Sequence, residues 1–240
     1  MHQIPLFQTG TRIHAVLFDL DGTLVDTAPD LAHALNLLRE ENGLPPLPLE
    51  QIRPQVSHGG TALIRLGFGC SPRDAKFELL RQRFLSLYKQ NLTTHTDLFP
   101  GMAAVLATLE QKRIPWGVVT NKPGWLTEPL MKQLALSERA GCIISGDTLQ
   151  QSKPHPAPLL HACRQIGVSP GECIYVGDAC RDIEAGRAAG MTTLVALFGY
   201  LGAEDCPEKW GADGMIETPR AILSLLGLSQ CSQRTPASRV

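Results

Sequence analysis

Short apolar runs recur along this 240-residue chain at 15–18, 116–120, 142–145, 173–176 and 192–197. Each is apolar almost without interruption, the pattern of a strand buried on both faces rather than on one. Helical periodicity fills the gaps. Residues 154–166 carry Leu159, Leu160, Cys163 and Ile166 on one side and stop at Gly167. Residues 181–189 stop at Gly190, and 219–226 follow Thr218 as an N-cap with Pro219 in the first turn. Strands alternating with helices predict an α/β fold: a Rossmann-like, doubly wound, mostly parallel sheet.

One interval breaks the alternation. From about residue 28 to 97 nothing reads as a strand. Leu31, Leu35 and Leu38 line one helical face, and Phe77, Leu80, Phe84, Leu87 and Tyr88 line another. A small all-helical domain inserted after the first strand accounts for this. Its hinges fall at 25–27 and 94–99, with a turn at Pro45, Pro46 and Pro48. The expected division is an α/β core over 12–26 and 98–228 and a helical insert over 27–97. Residues 1–11 read as an extension and 229–240 as a disordered polar tail.

Composition narrows the function. The net charge is -1 with a pI near 6.6. No basic excess points to nucleic acid, and no apolar run is long enough for a bilayer. The opening MHQIPLFQTG lacks the apolar stretch of a signal peptide, so a cytoplasmic location is expected. The 7 cysteines are odd in number and form no CxxC pair, which argues against a disulfide framework or a zinc site. They read as small core residues in a reducing compartment. No long amphipathic seam demands an oligomer, so monomer and homodimer both stay open.

In open α/β sheets, ligands gather at the carboxyl ends of the strands. The first run is followed by Asp19, Asp21 and Thr23, the second by Asn121 and Lys122 after Thr120. Lys153 precedes a helix, and Asp178 and Asp182 follow the fourth run. Carboxylates without His or Cys suit a hard cation, foremost Mg²⁺, while a lysine and a threonine suit phosphate oxygens. A carboxylate can attack phosphorus, and a second at i+2 can protonate the leaving oxygen and then activate water.

These four segments, FDLDGTLVDT, VVTN, SKPHP and GDACRD, taken in order, resemble the motifs of the haloacid dehalogenase superfamily of phosphatases. The resemblance spans about residues 12–228. It implies Asp19 as nucleophile and metal ligand, and Asp21 as general acid/base with its backbone carbonyl on the metal. It implies Thr120 and Asn121 as holders of the transferring phosphoryl group, and Lys153 as the balancing charge. Asp178 would bind Mg²⁺ directly, and Asp182 directly or through water. The insert would be a cap that closes over a small-molecule phosphomonoester.

An acid at position 21 favours phosphoryl chemistry over dehalogenation. Lys76 and Lys89, the lysines open to a Schiff-base role, fit better as exposed helical charges. A sugar-phosphate mutase or a non-catalytic binding module are the alternatives. Within the superfamily the chain is most similar to phosphoglycolate phosphatases and N-acetylmuramic acid 6-phosphate phosphatases. Trp116-Gly117 and Lys209-Trp210-Gly211 lean toward the latter. For specificity the candidates are His58, Gly59 and Gly60 in a glycine-paired loop, with Arg65 and Lys122.

Overall fold

The computed structural model describes residues 12–228. The extension expected over 1–11 and the disordered tail expected over 229–240 lie outside the described residues. Strand β1 (Ala15–Phe18) is followed by a short β2 (Val25–Asp26). Four helices come next: α1 (Ala28–Glu41), α2 (Leu49–Ile52), α3 (Gly59–Phe68) and α4 (Phe77–Gln90), with a 3-10 turn over Arg53–His58. β3 (Asp97–Leu98) brings the chain back. Then follow α5 (Met102–Gln111), β4 (Trp116–Val119), α6 (Gly124–Gln133), β5 (Cys142–Ile144) and α7 (Ala157–Ile166). The last elements are β6 (Cys173–Gly177), α8 (Cys180–Ala188), β7 (Thr192–Ala196), β8 (Gly214–Ile216) and α9 (Ala221–Leu225). Among the described residues no helix is long and apolar enough to cross a membrane.

Six strands form one parallel sheet in the order β5-β4-β1-β6-β7-β8. The apolar runs are its strands because helices cover both faces and leave no side chain of β1, β4 or β6 exposed. The chain winds outward from β1 to β5, then restarts beside β1 with β6. That reversal opens a crevice at the carboxyl ends of β1 and β6, the usual ligand position in such sheets.

The sequence left β8 unassigned. It is a three-residue edge strand with Met215 49% exposed, so it carries no continuous apolar run. Two helices also start later than expected. α7 begins at Ala157 because 152–156 forms a turn, with His155 N–H donating to Ser152 O (3.0 Å). α9 begins at Ala221 because Thr218 and Pro219 are in a turn, so Thr218 does not cap it.

The helical insert packs on its predicted faces: Leu31, Leu35, Leu38, Phe77, Leu80, Phe84, Leu87 and Tyr88 are all buried. Its two connections to the core run side by side. β2 and β3 pair antiparallel, Val25 with Leu98 and Asp26 with Asp97. Asp30, buried in the first turn of α1, accepts the His95 and Thr96 N–H groups (both 2.9 Å) and the Thr96 hydroxyl (2.8 Å). The outgoing helix thus anchors the returning strand. Arg53 adds a bidentate pair to Asp26 (3.1 and 2.9 Å) and lies 4.9 Å over the Tyr200 ring.

Candidate active site

β1 delivers Asp19 to the crevice, where its N–H still donates to Val176 O (2.9 Å). Leu20 is fully buried and Asp21 returns toward the cavity. Gly22 then reverses the chain at φ +84, a left-handed conformation that a side chain would strain. A Cβ there would also collide with the Asp178 carboxylate and the Tyr200 ring. Glycine at this point lets the β1 turn press against the end of β6.

Lys153 sits fully buried at the centre. Its Nζ donates to Asp19 Oδ1 (2.8 Å), Val119 O (2.8 Å) and Tyr175 Oη (2.7 Å), and pairs with Asp182 Oδ1 (2.7 Å). The Lys153 backbone is held too. Asn121 Nδ2 donates to Lys153 O (2.8 Å), and Lys153 N–H donates to Asn121 Oδ1 (3.0 Å). That clamp explains the turn ahead of α7. It also engages the Asn121 side-chain oxygen and one of its two amide donors.

Asp21 is tied by a second lysine. Its Oδ1 accepts from Thr27 Oγ1 (2.6 Å) and Lys122 Nζ (2.9 Å). Lys122 in turn donates to the Tyr88 hydroxyl (3.1 Å), which belongs to α4 of the insert. Burial alone would lower the Lys122 pKa, but the charges and hydrogen bonds of Asp21 and Tyr88 hold it above the usual lysine value. Burial pushes Tyr88 up to about 12. Lys122 therefore faces Asp21 as a fixed cation.

Asp19, Asp178 and Asp182 each offer a carboxylate oxygen within 4.8 Å of the others, and all three are buried. Asp178 Oδ2 accepts from Tyr200 N–H (2.9 Å) and from Ser57 Oγ (2.7 Å) of the insert. Burial, and then the charges of Asp19 and Asp182, still push Asp178 up to about 7. Asp182, third in α8, accepts Ala179 N–H (3.1 Å), and burial raises its pKa as well.

A cavity of about 370 Å³ lies over this group, between core and insert. Asp19, Asp21, Thr120, Asn121, Lys122 and Arg181 form its core side, and the insert contributes an apolar wall with Leu31, Val56, Leu63, Phe84 and Leu85. Of the specificity candidates, His58, Gly59 and Gly60 line it, and Lys122 lines it with its charge paired. Arg65 does not. It lies in an outer depression with Gln55, Ala62 and Leu66, which meets the main cavity at His58 and Thr61. Lys76 and Lys89 are exposed, as expected, and neither lines the cavity.

Sequence reasoning missed Ser57, Tyr88 and Arg181. Tyr88 read only as part of an apolar face; its hydroxyl among leucines and phenylalanines was the available signal. Arg181 stood inside GDACRD without a role, and Ser57 immediately precedes the glycine-paired loop.

The sequence model of the haloacid dehalogenase-like hydrolases matches residues 16–196. The chain is 42% identical over 220 residues to the N-acetylmuramic acid 6-phosphate phosphatase of Pseudomonas putida, covering 92% of this chain and 99% of that protein. It is 46% identical over 205 residues to the phosphoglycolate phosphatase of Xanthomonas campestris, covering 85% and 92%. A crystal structure described as a predicted phosphoglycolate phosphatase from Haemophilus somnus superposes with a TM-score of 0.79 at 26% identity, covering 90% of this chain and 99% of that one. The chain belongs to the haloacid dehalogenase-like hydrolase family and stands among its phosphatases.

Proposed function

We propose that this protein is a Mg²⁺-dependent phosphomonoesterase that works through an aspartyl phosphate on Asp19, with the helical insert as its cap. The supporting observation is the state of the two aspartates. Each has one oxygen, Oδ1, tied by a lysine, while among the described residues no hydrogen bond or ion pair engages Oδ2. Asp19 is thus held rigid and charge-balanced with a free oxygen at the cavity floor. That oxygen bonds to phosphorus as the ester P–O bond breaks. Asp21 Oδ2 gives its proton to the leaving oxygen, then takes one from the water that attacks the phosphoenzyme and releases inorganic phosphate. Thr120 and Asn121 would hold the phosphoryl oxygens, and Lys153 balances charge on Asp19 through both steps.

The donor set fits a hard cation: three buried carboxylates, no soft ligand, and like charges that repel without one. Asp19, Asp178 and Asp182 would hold it, with the Asp21 carbonyl. When bound it supplies Lewis-acid stabilisation of the phosphoryl charge. Asp178 has a raised folded-state pKa, so between pH 3.8 and about 7 the native state binds more protons than the unfolded state. In chelator, stability therefore falls as pH rises through that window, by on the order of 4 kcal/mol from this group. Urea unfolding with and without Mg²⁺ should show the metal's stabilisation growing from pH 5 to pH 8. An equal gain at both ends would contradict a shared cation site.

The substrate reading is a phosphorylated sugar acid of the N-acetylmuramic acid 6-phosphate kind. A cavity of about 370 Å³ with an apolar wall is sized for a drug-like molecule and exceeds what a two-carbon acid phosphate needs. The second reading, 2-phosphoglycolate, is favoured by the 46% identity to a phosphoglycolate phosphatase. Both esters should be assayed side by side. We expect kcat/KM for the sugar acid to be higher by about a hundredfold or more, the scale of several lost contacts to the non-reacting part. The reverse ranking would assign the small acid.

A further inference from the structure

Arg181 is the second residue of α8, next to Asp182. Its Nε is buried and has no hydrogen-bond partner. Among the described residues no hydrogen bond or ion pair engages its guanidinium. It lines the main cavity together with Asp19, Thr120 and Asn121. It also lines a smaller cavity of about 300 Å³ on its other side, with Ser57, His58 and Asp178.

The other strong cations of the main cavity are already engaged. Lys122 is paired with Asp21 (2.9 Å), and Arg81 with Glu78 (3.2 Å). Beneath the floor, Lys153 is paired with Asp19 and Asp182. A guanidinium kept only to neutralise the carboxylates would hydrogen-bond to them, as Lys153 does. Arg181 instead feels the charges of Asp182, Asp19 and Asp178 without bonding to any. A buried donor left unmatched is costly unless a ligand completes it. A planar fork beside an attacking carboxylate matches the non-bridging oxygens of a phosphoryl group.

We propose that Arg181 is a phosphoryl-binding residue: its guanidinium takes non-bridging oxygens of the phosphate ester and then of the inorganic phosphate product. The proposal rests on the phosphatase reading above and adds a cationic contact to those of Thr120, Asn121 and Lys153.

The test uses the full chain with Mg²⁺ and inorganic phosphate as the probe, measured by calorimetry. Arg181→Met and Arg181→Lys are compared with wild type and with Arg65→Met, a control on the exposed outer face. We expect Arg181→Met to weaken phosphate binding by about ten- to a hundredfold, the scale of charge-assisted hydrogen bonds. Arg181→Lys, which keeps the charge and loses the fork, should fall between. Wild-type phosphate affinity in either folded variant would overturn the proposal, as would a loss of kcat in either with phosphate affinity unchanged. Ester hydrolysis by the wild type is scored separately. Its absence would sink the phosphatase reading, while the phosphate affinities would still decide the role of Arg181.

Discussion

Replacing Asp19 by Asn is expected to stop turnover and leave the protein folded. Loss of a covalent nucleophile removes a whole reaction path, so kcat/KM should fall by about four orders of magnitude or more. The side chain keeps its size. Lys153 keeps Asp182, Val119 O and Tyr175 Oη as partners, so no buried charge is stranded. Thermal unfolding and steady-state hydrolysis on the same preparation check both halves. Near-wild-type hydrolysis would place the nucleophile elsewhere.

Lys153→Met acts through the opposite physics. The lysine is the shared partner of two buried carboxylates, Asp19 and Asp182. Removing it leaves both without their cation in a site shielded from water. Breaking a buried pair in this way costs about 3–5 kcal/mol. Urea denaturation in chelator should show that loss, and Mg²⁺ should recover part of it by supplying another cation. Activity should fall with the orientation of Asp19. A change below about 1 kcal/mol in chelator would mean that the charges are relieved some other way.

The buried sheet was legible because each long strand is a continuous apolar run, and the candidate site because Asp19, Thr120 and Asp178 each end or directly follow such a run. Asp19, Thr120 and Asp178 come together since β1, β4 and β6 are parallel neighbours whose carboxyl ends face one way. Lys153 joins them from a turn that Asn121 clamps. What stayed hidden depends on contacts between core and insert. Tyr88 reaches Lys122 and Ser57 reaches Asp178 only once the helices fold over the sheet, and no local period announces that. β2 and β3 are two residues each, too short for alternation to register. Arg65 falls outside the main cavity, in a depression that meets it at His58 and Thr61, and nothing in the sequence marks that boundary.

Besides Thr27 at its base, which donates to Asp21, the insert reaches the chemistry from its helices. Through Tyr88 and Lys122 it touches Asp21, and through Ser57 it touches Asp178. The element suited to choosing the substrate is therefore bonded to the groups proposed to move the proton and hold the metal. Closure of such an element excludes water from an acyl phosphate.

The most direct test is to trap the intermediate. The enzyme is mixed with substrate and Mg²⁺, quenched in acid during turnover, and reduced with borohydride, which converts an acyl phosphate to an alcohol. Peptide mass spectrometry then locates the change. We expect homoserine at position 19 and unmodified aspartate at positions 21, 178 and 182. Reduction at another carboxylate, or steady hydrolysis with no acyl phosphate trapped, would contradict an aspartyl phosphate on Asp19.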